Sequence, residues 1–328
     1  MQTWITKEFN IKYPIIMAPM FLVSNEEMLI AAAESGIMGC IPALNYRTPE
    51  LFEEGMKRLK DNCKGPFGVN LIVNKSNIVL EKQMEICERI NPDFVITSLG
   101  SPEETIKRLQ PKGVRVLCDV VDVEYALKVE KLGADALIAV NSGAGGHAGP
   151  IPASILVPML RKSCKLPVIS AGGVGTGEGL LSVLALGAEG VSVGSPFISC
   201  VESPVSAEYK KACLDFGAKD IALTTKVSGS PCTVIVTPYV KKIGLDQNVV
   251  EKVLNKNKQL KKYAKMLTFY KGMKALEKAA FSATYKTVWC AGPSIEFIDR
   301  EMKVKDFVDK IIGEYKTAHA KLGQLSLS

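Results

Sequence analysis

Apolar and polar positions alternate in blocks along the first two hundred residues. Short β-branched or apolar runs recur at Pro14 to Met17, Ile37 to Ile41, Phe67 to Ile72, Phe94 to Thr97, Arg115 to Cys118, Ala136 to Val140, Val168 to Ser170 and Gly190 to Val193. Helix-like segments separate them at Asn25 to Glu34, Pro49 to Lys60, Asn77 to Ile90, Pro102 to Leu109, Asp122 to Leu132, Pro152 to Lys162 and Gly177 to Leu186. Strands alternating with helices predict βαβ units and a parallel sheet. Eight such strands in a row predict a closed α/β barrel of the (β/α)8 kind.

A short internal echo agrees with that count. Lys131-Leu-Gly-Ala-Asp135 leads into the sixth apolar run and Leu186-Gly-Ala-Glu189 into the eighth. In each, a glycine ends a helix and an acidic residue precedes a strand. After Cys200 the alternation stops. Residues 1–201 are expected to form the barrel. Residues 202–288 are expected to add a mostly helical lid subdomain, interrupted by Val227-Ser-Gly-Ser-Pro231 and the apolar run Thr233 to Thr237. Residues 289–328 contain a Gly-Pro turn and a long amphipathic helix expected to pack back on the barrel.

Composition narrows the class. Of 328 residues 47% are hydrophobic, ample for a buried core. No apolar run approaches the roughly 20 residues of a membrane span, and the opening Met-Gln-Thr-Trp-Ile-Thr-Lys-Glu lacks the apolar centre of a signal peptide. A cytoplasmic protein is expected. The nine cysteines are scattered, with no Cys-x-x-Cys pair, which argues for reduced thiols over a disulfide framework or a zinc site. Net charge is +7, and the excess is local: Glu251 to Lys278 holds nine lysines against two glutamates. That run reads as a solvated helix face or as a docking surface for an acidic partner or phosphorylated ligand. No motif or basic-aromatic interleaving points to nucleic acid.

Residues 141–149, Asn-Ser-Gly-Ala-Gly-Gly-His-Ala-Gly, follow the sixth predicted strand and hold one of only two histidines. Glycines let a backbone turn sharply and approach a planar ligand. His147 is then the one bulky polar group on a thin loop, titrating near neutral pH. The other histidine, His319, falls in the C-terminal helix pattern near Lys316 and Lys321 and reads as solvated. Barrel chemistry belongs at the C-terminal strand ends. There stand Ala18, Pro19 and Met20 after the first strand, Asn70 ending the third, Ala171, Gly172 and Gly173 at the seventh, and Gly194 and Ser195 after the eighth. Glycine turns after strands seven and eight suit a phosphate held by backbone N–H groups and a helix N-terminus. Gly173-Val-Gly-Thr-Gly177 lacks the Lys-Ser or Lys-Thr of a P-loop and the dinucleotide spacing, so a phosphate-bearing flavin fits better than a triphosphate.

Ile15-Ile-Met-Ala-Pro-Met20, Pro66-Phe-Gly-Val-Asn70, Ala144-Gly-Gly-His147 with Gly149, Ser170-Ala-Gly-Gly173 and Val193-Gly-Ser-Pro-Phe197 together resemble the nitronate monooxygenase (2-nitropropane dioxygenase) family, FMN-dependent TIM barrels with a helical lid. The resemblance runs from about residue 10 to 200, and Ala291-Gly-Pro293 is similar to a motif near the family's C-terminus. It implies FMN with Ala18, Pro19, Met20 and Asn70 along the isoalloxazine ring. Gly145 and Gly146 would belong to the flavin cradle, and Ala171, Gly172, Gly173, Gly194 and Ser195 would lie at the phosphate. His147 would face the substrate, as a base or as a hydrogen-bond donor to nitro or nitronate oxygens. The flavin would carry electron transfer and reaction with oxygen.

Four positions depart from the family pattern. Val140 and Gly143 replace the family's frequent glutamine and glutamate, with Asn141 left to supply the lost flavin contact. Pro196 and Pro293 replace other residues. The implied reaction is oxidation of alkyl nitronates or nitroalkanes by O2 to a carbonyl compound and nitrite. The alternative is an NAD(P)H-dependent FMN reductase, such as an enoyl-ACP reductase, which shares the Ala-Gly-Gly-His motif, or a quinone reductase. Expected partners are a small-molecule substrate, O2 or NAD(P)H, with neither nucleic acid nor membrane, and a homodimer is compatible.

Overall fold

The structure, a computed structural model, describes residues 1–225, 231–245 and 288–324. Eight parallel strands pair in chain order: β1 (Ile15–Met17), β2 (Met38–Pro42), β3 (Phe67–Ile72), β4 (Phe94–Ser98), β5 (Arg115–Val120), β6 (Ala136–Val140), β7 (Val168–Ala171) and β8 (Gly190–Val193). Pairing of Ile15 with Val191 and Met17 with Val193 closes the barrel.

Outside it run α2 (Glu26–Glu34), α3 (Pro49–Asn62), α4 (Leu80–Ile90), α5 (Glu103–Leu109), α6 (Val123–Lys131), α7 (Ala153–Ser163) and α8 (Gly177–Ala185), preceded by the single-turn α1 (Trp4–Glu8). Asn25, Thr48, Asp122 and Thr176 start four of them by accepting a hydrogen bond from a backbone N–H of the first turn. Two strand ends differ from the sequence reading in a way that matters. β2 continues to Pro42 and β5 to Val120, because ladder pairing of Asp119 with Ile138 and of Val120 with Ala139 extends β5 beyond its apolar run.

Alternation along each strand sorts side chains into two shells. Ile16, Cys40, Phe94, Ile96, Leu117, Ile138 and Ile169 fill the barrel, while Met17, Val69, Leu71, Val95, Val116, Leu137 and Val191 face the helices. Ile5 and Phe9, at α1, plug the bottom, with the Phe9 ring 5.4 Å from Phe94. Gly68 leaves room for the Phe94 ring, which a Cβ would approach to 2.3 Å.

Beyond β8 stand α9 (Ala207–Asp215), β9 (Ile221–Thr224), β10 (Cys232–Ile235) and α10 (Pro238–Ile243). β9 and β10 form an antiparallel pair inside the stretch whose pattern is mostly helical; branched residues at Ile221, Thr224, Thr233, Val234 and Ile235 suit strands. A second small core of Val23, Ile198, Tyr209, Ile235, Trp289 and Ile295 joins this layer to the barrel mouth, with Tyr209 and Trp289 stacked at 5.5 Å. The lysine-rich run Glu251 to Lys278 lies outside the described residues.

The C-terminal helix Val304–Leu322 packs between α8 and α2, the place of the eighth barrel helix. Phe307, Val308, Ile311 and Ile312 bury its inner stripe, and Phe307 meets Phe197 edge-on at 4.8 Å. The layer after β8 is therefore a long insertion before the last barrel helix. Among the described residues no helix is long and apolar enough to cross a membrane.

Candidate active site

The C-terminal strand ends open into a cavity of about 890 Å³, within the range of cofactor and ligand sites. Its floor is polar on one side. Inward positions at the tops of β3, β4 and β5 are Asn70, Ser98 and Asp119. The Asn70 amide donates to the Ile96 carbonyl (3.0 Å) and to Ser98 Oγ (2.8 Å), and Ser98 Oγ donates to Asp119 Oδ2 (2.5 Å). Burial pushes the Asp119 carboxyl up to about 6, against the opposing pull of the Ser98 hydroxyl.

The wall is the loop after β6. Gly173 N–H donates to the Gly143 carbonyl (2.9 Å), Thr233 N–H to the Gly146 carbonyl (2.7 Å) and Thr233 Oγ1 to the Ala144 carbonyl (2.8 Å). Strand β10 thus ties the loop from outside. Gly146 has φ +71° and Gly173 φ +78°, with no atom within 3.7 Å of an added Cβ at either; these left-handed turns leave space that any other side chain would fill. At Gly172, with φ +110°, a Cβ would come within 2.4 Å of Ala144 N, so two glycine loops pass in direct contact. Ser195 Oγ accepts from Gly292 N–H (2.8 Å), which leaves the serine proton free to donate.

Ala18, Pro19, Met20, Asn70, Gly145 and Gly146 all line this one cavity, and so do His147, Ala171, Gly172, Gly173, Gly194 and Ser195. His147 is exposed along the cavity but flanked by protein elsewhere, and that desolvation holds its imidazole below the ordinary 6.5. The ring is neutral at neutral pH and able to accept a proton.

Two positions expected at the cofactor have partners within the protein. Asn141 is 2% exposed and faces away from the cavity: its amide donates to the Gly172 carbonyl (3.0 Å) and Ser170 Oγ (3.4 Å), and its oxygen accepts from Gly143 N–H (2.8 Å). It braces the two glycine loops, while Val140 lines the cavity where a polar contact was expected. The N-terminus of α8 is also taken. Glu314 from the C-terminal helix accepts from Gly177 N–H (2.8 Å), and Thr176 caps Gly179.

Sequence reasoning missed several lining residues. Asp119 was hidden by ending β5 at Cys118; carrying the two-residue alternation two positions further would have found it. Tyr125 and Lys128 reach the rim from α6. Cys232 and Cys290 come from segments far apart in the chain, with sulfurs 3.6 Å apart in the wall. Their hydrogen bond, with burial, holds the Cys290 thiol well above the usual range. Among the described residues no group of three or more His, Cys, Asp or Glu side chains is placed to hold a metal.

A profile of the nitronate monooxygenase family matches residues 2–314. The chain belongs to the nitronate monooxygenase family. Among its relatives, a probable nitronate monooxygenase of Bacillus subtilis is 26% identical over 94% of this chain and 97% of its own length. The (3aS,4S,5R,7aS)-5-hydroxy-7a-methyl-1-oxo-octahydro-1H-indene-4-carboxyl-CoA dehydrogenase of Rhodococcus jostii is 30% identical over 74% of this chain and 68% of its own length. The solved structure of FabK from Thermotoga maritima superposes with a TM-score of 0.86 at 27% identity, covering 98% of this chain and 99% of that one. This member of the nitronate monooxygenase family is a flavin-dependent oxidoreductase.

Proposed function

We propose that this protein is an FMN-dependent nitronate monooxygenase that oxidises alkyl nitronates, and nitroalkanes after deprotonation, to a carbonyl compound and nitrite with O2. The observation that carries the reading is a neutral His147 on the wall of a cavity whose opposite mouth is built from glycine turns. The fit of a flavin rests on those turns. Space stands above Gly146 and Gly173, and Ser195 holds a free hydroxyl proton for a monophosphate. Ala18, Met20 and Asn70 would border the ring, with Gly172, Gly173, Gly194 and Ser195 at the phosphate.

Bound FMN supplies two-electron chemistry with the substrate and the reaction with dioxygen. The chain's own residues do the rest. His147 Nε2 or Nδ1 takes the carbon-bound proton of a nitroalkane, or donates a hydrogen bond to the nitro oxygens of a substrate already deprotonated. Met20, Ile96, Ile138, Val140 and Ile198 give the cavity an apolar lining, which keeps water from competing for that proton.

A second reading, an NAD(P)H-dependent reductase of acyl thioesters, is supported by the likeness to FabK and by the CoA thioester in the name of the Rhodococcus relative. Anaerobic mixing of the flavin-loaded protein with an alkyl nitronate, NADH and NADPH in turn separates the two. Bleaching of the flavin by nitronate alone supports the monooxygenase. Bleaching by a nicotinamide alone overturns it in favour of the reductase.

A further inference from the structure

Asp119 is the one carboxyl among the described residues that stands inside the barrel beneath the cavity, and the mechanism above makes no use of it. Its strand position points it inward next to Leu117 and above Cys40. The groups that face it are neutral at physiological pH. Cys40 on β2, Cys118 beside it and Tyr125 on α6 are all pushed upward, by burial first and then in part by Asp119 itself. Tyr125 donates its hydroxyl hydrogen to the Gly100 carbonyl, so it does not serve as a donor to the carboxylate. His147 across the cavity is neutral as well, and the charged groups of the rim are Asp122 and Lys128. Asp119 accepts a hydrogen bond from the Ser98 hydroxyl, a neutral dipole.

That hydroxyl transmits the acid's state. With its hydrogen drawn to Asp119, Ser98 Oγ can only accept, and it accepts from the Asn70 amide. Asn70 also donates to the Ile96 carbonyl, so both amide hydrogens face β4 and Oδ1 is left on the other side of the carboxamide, which lines the cavity. A flavin ring held against Asn70 would meet an acceptor oxygen backed by a carboxylate. Both favour N–H on the ring and disfavour a negative charge on it.

Building on the flavin reading above, we infer that Asp119 is a positioning and charge-setting residue for the flavin: through Ser98 it fixes the Asn70 carboxamide, and its carboxylate resists accumulation of negative charge on the reduced ring. Reduction adds two electrons and draws one or two protons from water. An ionised Asp119 shifts the balance toward the fully protonated reduced form, and a protonated Asp119 removes that bias. The midpoint potential should therefore change slope with pH near 6, where Asp119 titrates.

The test is a potentiometric titration of the flavin-loaded protein between pH 5 and 8.5, for wild type, Asp119→Asn and Ser98→Ala. Asp119→Asn should favour the reduced flavin about tenfold at pH 8, a rise of about 30 mV for a two-electron couple. It should also erase the slope change near pH 6, with flavin affinity changed less than about threefold. Ser98→Ala should keep the slope change and shift the absorbance of the bound flavin, because Asn70 loses one of its two anchors. Profiles for Asp119→Asn that superpose on the wild type overturn the inference while the flavin reading stands. A wild-type protein that binds no flavin overturns both. Should Asp119→Asn lose its flavin, Asp119→Glu distinguishes the causes: a retained slope change supports the inference, and an unbroken line overturns it.

Discussion

His147 is a weak base by virtue of where it sits. Desolvation lowers its pKa below 6.5, so the neutral form needed to take a proton persists to a lower pH than in water. A positioned base contributes about two to four orders of magnitude in rate. His147→Asn should lower turnover of neutral nitroalkanes by that factor and turnover of preformed nitronates by less, since nitronates have already lost the proton. Steady-state rates on both substrates, with flavin content measured alongside, check this; near-wild-type rates on both would remove His147 from the mechanism. In the wild type the acid limb of nitroalkane turnover should fall below pH 6.5. Asp119 makes a second, thermodynamic prediction. Its unfolded pKa is about 3.9 and its folded value about 6. Between those limits the folded protein holds a proton that the unfolded chain has lost, so this group's contribution to stability falls as pH rises through the window and stays unfavourable above it. The gap corresponds to about 3 kcal/mol at most, less what solvent in the cavity screens. Asp119→Asn should raise the melting temperature at pH 7.5 and leave it nearly unchanged at pH 4, as calorimetry would read.

At the scale of elements, two glycines of opposite kind stand in α8 and the C-terminal helix, and only one is part of their contact. Gly177 is pressed against the C-terminal helix, where a Cβ would lie 2.0 Å from Tyr315 N, while Gly313 has nothing within 4 Å of an added Cβ. Gly313→Ala should stabilise the protein by about 0.5–1 kcal/mol through helix propensity. Gly177→Ala should destabilise it by about 1–3 kcal/mol from overpacking. Denaturant unfolding of the two variants tests the pair, and the same sign for both would contradict the packing. The glycines were visible as helix residues; which one is buried against backbone is a property of two segments more than a hundred residues apart.

For the whole molecule, the eighth helical position is supplied from the far end of the chain. Phe307 brings the last helix onto Phe197, just after β8, so the layer between them is held at both ends by the barrel. Phe307→Ala should cost about 3–5 kcal/mol. It should also weaken flavin binding, because Phe197 N–H donates to the Gly194 carbonyl and so closes the Gly194–Ser195 turn. Thermal unfolding and flavin titration of the variant check both effects, and loss of stability with unchanged flavin affinity would uncouple the turn from the helix.

The chain's own pattern determined the barrel: eight short apolar runs, separated by amphipathic stretches, bury themselves in one way, and the bounds of β3, β6 and β8 agree to the residue. Local chemistry also marked the glycine turns and His147, since a residue type that permits a conformation is legible wherever it stands. Other features depended on partners distant in sequence. Asn141 is polar and beside the site, yet the Gly172 carbonyl 31 residues away draws its amide inward. Glu314 takes the α8 terminus that the glycine pattern had offered to an anion. Asp119 became a cavity residue only when ladder pairing with β6 carried β5 past its apolar run. Periodicity reports burial against an average neighbour, whereas hydrogen bonds and charges respond to the particular neighbour, which tertiary packing alone supplies.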